Sequence, residues 1–237
     1  MPQHFYVNVA QPDLVIGTSI TLESERSHYV SRVLRKRNGD TCDCFDGLGQ
    51  RFVAEFHADK HQSLLSVVEL FEREPPPRSR NHLGLALLKG SAMDRAIQLA
   101  CESGADDISL FSGLRSNVKL SGHRLANKRA HWAKIIIAAC EQSGRSYLPR
   151  FEPDTDLQHL IANHTNAYVL DMDGGPLNYH VGADRLLLIG PEGGWSVEER
   201  RSFEQERVQR VSLGPTTLRA ESTPGAAMAI LNYLADS

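Results

Sequence analysis

The hydrophobic pattern of the chain changes its period once. Up to about residue 71, apolar and polar positions alternate in short runs: Phe5-Tyr6-Val7, Cys42-Asp43-Cys44-Phe45, residues 51–56 and residues 64–68. A period of two marks strands with one covered face. Turn signals separate the runs, notably Asn38-Gly39-Asp40 and Asp46-Gly47-Leu48-Gly49. One stretch breaks the alternation: Tyr29, Val30, Val33 and Leu34 stand at helical spacing and predict a helix over about residues 24–35. Residues 1–71 thus fit a small β-barrel, a shape that often serves RNA binding. The following Glu72-Arg73-Glu74-Pro75-Pro76-Pro77-Arg78 cannot continue a sheet, so residues 72–80 read as a linker.

Beyond the linker, apolar runs of strand length alternate with helical stripes. Strands are expected over residues 83–88, 107–111, 168–172, 185–189 and 208–213. The first helix has Ser91 as cap and Asp94 at the capping-box position; Met93, Ile97 and Ala100 stripe it and Gly104 ends it. A second carries Trp132, Ile135, Ile136 and Ala139 on its buried face and stops at Gly144. The last starts with Thr223 as N-cap and Pro224 at the first helical position, and runs to about Leu234. Strands alternating with helices give an α/β domain over residues 81–237, with a mainly parallel sheet covered on both faces.

Composition narrows the class without naming a function. The chain has 237 residues and the apolar and charged fractions of an ordinary soluble globular protein. No apolar run has the length of a membrane span, and the first ten residues lack the pattern of a signal peptide, so a cytoplasmic protein is expected. The four cysteines (Cys42, Cys44, Cys101, Cys140) are too scattered for a disulfide framework, and the ten histidines form no zinc spacing; no metal is expected. The net charge of −3 hides a segregation: eight basic residues between Arg115 and Arg150 face one acid, Glu141. A second basic cluster, Arg32, Arg35, Lys36 and Arg37, lies in the barrel segment. Two such patches favour a polyanionic partner over a merely solvated helix face.

Candidate chemistry gathers at three glycine-bearing loops, each following a predicted strand. They are Asp173-Gly174-Gly175-Pro176, Gly190-Pro191-Glu192-Gly193-Gly194, and the loop from Gly214 to Ser222. Strand, glycine loop and helix in succession present backbone N–H groups to a ligand at a strand's carboxyl end. The spacing is neither a P-loop, nor a dinucleotide fingerprint, nor a hydrolase elbow. Residue reading alone therefore ends at an unassigned small-molecule site.

LLIGPEGGWSVEE, followed by VSLGPTTLRAES and an alanine-rich terminal helix, resembles the signature of the SPOUT methyltransferases. The similarity is strongest to the RsmE family of 16S ribosomal RNA uridine-N3 methyltransferases. HYVSRVLRKRNGDTCDCFDGLGQ is similar to that family's PUA-like barrel, and LLKGSAMDRAIQLACESGADDI and KIIIAACEQSGR to the stretches before its cofactor site. The resemblance implies a trefoil-knotted α/β domain that binds S-adenosylmethionine, acts on 16S rRNA, in an assembled small ribosomal subunit or as naked RNA, and works as a homodimer. The implied cofactor cradle is Leu170, Met172, Ile189, Gly190, Pro191, Glu192, Gly193, Gly194, Leu213, Gly214 and Leu218. Arg219 and Glu221 are the implied catalytic pair: Arg219 to stabilise negative charge or hold a phosphate, Glu221 to accept the N3 proton or to orient Arg219. Glu192 can equally fix its own loop. RNA contacts are expected from Arg32, Arg35, Lys36, Arg37, Arg115, Lys119 and Arg145, the last of which can instead neutralise its helix end. The chain departs from the family pattern at Thr216, Thr217, Ser222 and Thr223, which bears on the target nucleotide more than on fold or cofactor. Two other readings stay open: a SPOUT enzyme acting on another RNA or another uridine atom, and an idle RNA-binding assembly factor.

Overall fold

The computed structural model describes residues 4–9, 14–59, 63–116, 118, 120–177 and 183–235. The chain divides into two compact units, one of residues 1–76 with 140–148, the other of residues 77–139 with 149–237.

The N-terminal unit holds β1 (Phe5–Tyr6), β2 (Ser19–Thr21), α1 (Ser24–His28), a π-helical turn at Tyr29–Val33, β3 (Thr41–Phe45), β4 (Arg51–His57) and β5 (Leu64–Leu70). Their sheet runs β1-β3-β4-β5-β2, parallel only between β1 and β3. The period-two reading holds in β4: Phe52, Ala54 and Phe56 point into a core with Phe5, Val30 and Leu65, while the residues between them stay half-exposed. Cys42 and Cys44 face the same core, where burial raises both thiol pKa values. Residues 140–148 complete this unit. The Glu141 carboxylate accepts from the Tyr6 N–H (3.0 Å) and from the Arg26 guanidinium, which lies 4.0 Å over the Phe5 ring. Tyr147 bridges Gly47 and Leu48 and donates its hydroxyl to the Glu74 carbonyl (2.7 Å).

The second unit is an α/β layer structure. Its elements are β6 (Asn81–Ala86), α2 (Ser91–Glu102), β7 (Asp107–Phe111), α3 (Gly122–Ser143, of which residues 140–143 belong to the N-terminal unit), β8 (Arg150–Glu152), α4 (Leu157–Ala162), β9 (Ala167–Pro176), β10 (Arg185–Ile189), α5 (Val197–Gln205), β11 (Gln209–Ser212) and α6 (Thr223–Ala235). All strands are parallel, in the order β11-β9-β10-β6-β7-β8. Both faces of the central strands are covered, so every residue of β7 and β10 is buried; the polar exceptions in these two strands, Asp107, Ser109 and Arg185, are hydrogen-bonded. Close packing leaves Gly84 of β6 no room for a side chain, since a Cβ there would lie 2.6 Å from Leu188. Gly174 meets the Val211 backbone just as closely (2.5 Å), where the β9–β11 register shifts.

Several expectations shift in this unit. Ser91 does not cap α2: Gly90 stands at the N-cap with φ +59, and no side chain caps that end. Asp94, expected to reach back in a capping box, instead accepts from the Trp132 indole N–H (3.0 Å) and pairs with His131 of α3. A buried indole N–H needs an acceptor, and that demand outweighs a local cap. Thr223 is the first residue of α6, its hydroxyl donating to the Arg219 carbonyl (2.8 Å). Strand β8 and helix α4, which no pattern marked, complete the sheet edge and its cover.

At the amino ends of the strands lies a polar network. Asp107 takes hydrogen bonds from Arg80 and Arg150; burial alone would raise its pKa, and the two guanidinium groups reverse that to a lowered value. His82 of β6 sits between Ser109 Oγ (2.8 Å) and His164 (2.9 Å), which in turn bonds the Leu160 carbonyl (2.8 Å). A carbonyl only accepts, so His164 carries its proton on Nδ1, His82 donates from Nδ1 to His164, and the Ser109 hydroxyl donates to His82 Nε2.

Candidate active site

One strand segment and two loops of the second unit converge on one cavity of about 600 Å³, within the ~300–1,000 Å³ range of small-molecule sites. They are residues 170–173 of β9, the loop after β10, and the loop between β11 and α6. The expected glycine loop Asp173-Gly174-Gly175-Pro176 is instead the end of strand β9, where Gly174 packs on the Val211 backbone and only Asp173 lines the cavity. Of the expected cradle, Leu170, Met172, Ile189, Gly190, Pro191, Glu192, Gly194, Leu213, Gly214 and Leu218 line it, together with Arg219 and Glu221. Gly193 does not line the cavity. It packs against Arg115, whose guanidinium donates to its carbonyl (3.3 Å); a Cβ at Gly193 would sit 3.2 Å from Arg115 Cβ.

The glycine loop is fixed from within. The Gly194 N–H closes a turn on the Pro191 carbonyl (2.9 Å), and Gly194 holds φ +68. Gly190 faces the Trp195 ring, so that a Cβ would lie 2.9 Å from the indole. Trp195 itself is wedged between Phe111 and Phe203, with ring centroids at 6.0 and 4.8 Å. Its Nε1–H donates to the Leu170 carbonyl (2.9 Å) and so ties two walls of the cavity together. Behind the loop, Ser196 and Glu199 form a full capping box at the start of α5. The second carboxylate oxygen of Glu199 accepts from the Leu114 N–H (2.9 Å), which clasps the loop carrying Arg115 to the glycine loop.

The loop before α6 pins a backbone and frees a side chain. The Arg219 carbonyl takes hydrogen bonds from the Ser222 N–H (2.9 Å), the Thr223 N–H (3.0 Å) and the Thr223 hydroxyl. The Arg219 side chain, by contrast, is 86% exposed, and the Glu221 carboxylate stands 3.8 Å from it at 29% exposure. A fixed backbone with a free cation beside a carboxylate can meet a substrate that develops negative charge.

Sequence reasoning missed Asp171, Arg200, Trp195 and Glu199. Asp171 lines the cavity with its side chain only 4% exposed, held by Arg200 of α5 and Arg210 of β11. Its acidic type was visible, but its two partners lie 29 and 39 residues away. The only signal for Trp195 was its place directly after the glycines.

The expected RNA contacts fall in separate places. Arg32, Arg35 and Arg37 are exposed around the π-helical turn of the N-terminal unit. Lys36 is half-buried and donates to the Thr41 carbonyl (2.6 Å). Arg35 has φ +53, a left-handed conformation that glycine normally fills. Arg115 lies beside the glycine loop, Arg145 is half-buried in the loop that completes the N-terminal unit, and Lys119 lies outside the described residues.

A parallel α/β sheet with a glycine-walled cavity at its loops, in a chain that also carries a small β unit, has close counterparts among known proteins. Residues 74–232 match the model of an RNA methyltransferase domain, and residues 22–68 that of an RNA methyltransferase PUA domain. Ribosomal RNA small subunit methyltransferase E of Synechocystis sp. is 32% identical, over 98% of this chain and 78% of its own length. The protein of the same name from Bacillus subtilis is 26% identical over 98% and 96%. The crystal structure of ribosomal RNA small subunit methyltransferase E from Neisseria gonorrhoeae bound to S-adenosyl methionine superposes with a TM-score of 0.87 at 25% identity, covering 99% and 98% of the two chains. A structure from Legionella pneumophila with the cofactor SAM bound does so with 0.87 at 27%, covering 99% and 98%. The chain belongs to the ribosomal RNA small subunit methyltransferase E family of RNA methyltransferases. Among the described residues, no helix is long and apolar enough to cross a membrane.

Proposed function

We propose that this chain transfers the methyl group of S-adenosylmethionine to N3 of a uridine in 16S rRNA, within the small ribosomal subunit, and that it works as a homodimer. The observation that carries the reading is the convergence of two loops and the end of strand β9 on one cavity with Arg219 and Glu221 at its wall. The cavity suits this cofactor: glycine at Gly190 lets the backbone approach closely, and buried aromatic rings hold the loop rigid.

S-adenosylmethionine supplies an electrophilic methyl group on a sulfonium. The chain has to hold that group in line with the attacking nitrogen, so much of its contribution is positioning. Backbone groups at Leu170–Met172, Ile189–Gly194 and Leu213–Leu218 form the cradle, and the Trp195 hydrogen bond keeps the first two in register. Uridine N3 must lose its proton. Glu221 takes that proton or orients Arg219, and Arg219 stabilises the anionic base. Arg32, Arg35, Lys36, Arg37 and Arg115 hold phosphates, which gives affinity without sequence information.

The test supplies labelled S-adenosylmethionine and small ribosomal subunits that lack the modification, then identifies the labelled nucleoside by mass. Label on N3 of uridine is expected. Arg219→Ala should lower the rate by about 10²–10³-fold, the usual loss on removing a donor to a developing anion, with cofactor affinity retained. Label on tRNA but not on subunits would keep the chemistry and discard the substrate. No label anywhere and no cofactor binding would make the chain an idle RNA-binding factor.

A further inference from the structure

The first ten residues of α3 add no buried side chain to the core. None of residues 122–131 is buried; the first buried position is Trp132, from which Ile136 and Ala139 continue into the core. Helices in proteins are held mainly by packing an apolar face, and this segment packs none.

Its charges also work against it. The positive end of the helix dipole favours acids in the first turn; α3 has none there and begins with His123 and Arg124. Arg124 and Lys128 stand four apart, where like charges repel. No aspartate or glutamate occurs anywhere from residue 108 to residue 140, in a chain with 29 acidic residues. Lys128 lies 5.7 Å over the Trp132 ring and His131 pairs with Asp94, so these two are partly engaged. Arg124 and Arg129 are exposed. A segment that breaks the local rules for helix charge, and gains no packing in return, fits a site whose compensation comes from outside the chain.

We infer that residues 122–131 of α3 are a docking surface for RNA phosphates, a reading that rests on the RNA methyltransferase function and assigns part of its substrate contact. The occupant follows from the chemistry. Within residues 122–131 the apolar side chains are Leu125, which is half-buried, and the small Ala126 and Ala130, so an apolar partner finds little to bury. A two-fold axis through the segment would set the same cations against each other. A polyanion relieves the repulsion and the dipole conflict together, and releases counterions as it binds. The surface thereby governs affinity and salt dependence, while the cavity chooses the nucleotide.

The test uses the full chain carrying Arg124→Glu and Arg129→Glu, with small-subunit rRNA transcript as the probe. At about 100 mM salt the variant should bind the transcript at least ~10-fold more weakly. The slope of log affinity against log salt should flatten by about 2, one contact for each arginine. S-adenosylmethionine affinity should match the unaltered chain, and Arg124→Gln with Arg129→Gln should give an intermediate loss, which guards against a folding defect. Equal RNA affinity and equal slope, with methyl transfer by the unaltered chain intact, would overturn the docking surface alone. If the unaltered chain binds neither the transcript nor S-adenosylmethionine, the methyltransferase reading falls and takes this one with it. RNA binding unchanged but self-association lost would give the segment to a second copy and overturn the inference.

Discussion

Helices α5 and α3 start in the same unit and open in opposite ways. At the start of α5, Ser196 and Glu199 satisfy each other's backbone N–H, two acids meet the helix dipole, and Glu199 takes up the Leu114 N–H as well. Hydrogen bonds from its own backbone and from Ser196 lower the pKa of Glu198, so the charge that suits this helix end is kept. The start of α3 has no acid in its first turn and no buried residue until Trp132. The difference separates two kinds of functional surface. Where polar groups are satisfied internally, they hold a shape, and the glycine loop needs a shape. Where they are left charged and bare, they hold a field, and a flexible polyanion needs only a field.

The largest effect should come from breaking the satisfied end. Glu199→Ala removes the capping box and leaves the Leu114 N–H unpaired, for a loss of about 2–4 kcal/mol in stability. Urea unfolding measures it, and a loss below ~1 kcal/mol would mean the clasp is ornamental. Next comes a contrast among histidines. Those at the start of α3 are exposed, whereas His82 is enclosed, and burial followed by the neighbouring His164 lowers its pKa to about 4. The folded state thus favours neutral His82, so its contribution is complete above the unfolded value near 6.5 and is lost as pH falls towards 4. The ceiling is about 3 kcal/mol. Unfolding free energies at several pH values between 7.5 and 4.5 should show this slope in the unaltered chain and a flatter one in His82→Gln.

Smaller effects sharpen the same contrast. Trp195→Phe keeps the ring between Phe111 and Phe203 but loses the hydrogen bond to Leu170, which should weaken S-adenosylmethionine binding by ~5–10-fold, as titration calorimetry would register. Arg124→Glu should act in the reverse sense on stability. It places an acid in the first turn of α3 and an opposite charge four residues before Lys128, for a gain of about 0.5 kcal/mol. A destabilised Arg124→Glu chain would show that the bare segment has a structural partner after all.

Much of the fold is legible where burial writes a continuous pattern. Strands β7 and β10, buried from end to end, have the bounds predicted for them. Strand β6 starts two residues earlier than its apolar run because Asn81 and His82 find polar partners in Arg185 and Ser109. Short elements are silent: the three residues of β8 and six of α4 are too few to show a period. The glycine loops that line the cavity are visible because glycine there marks close approach. What stands behind them is not: the Ser196-x-x-Glu199 spacing marks a capping box, but Glu199 and Leu114 are 85 residues apart, and nothing local marks the bond between them. Asp94 shows how a sound local reading fails, since its capping pattern is present and its carboxylate is recruited by Trp132 and His131 instead.

The membership of residues 140–148 in the N-terminal unit has a consequence for the order in which the molecule forms. Tyr6 and Arg26 meet their carboxylate, Glu141, across sequence separations of 135 and 115 residues. During synthesis the strands of this unit emerge early and wait, with the pair's cationic partner uncompensated, until the far segment is made. Such late closure raises contact order and slows folding. A fragment cut at the Pro75–Pro77 stretch would contain every strand of the unit and still lack the piece that completes it. An independent N-terminal module would need residues 140–148 spliced back on.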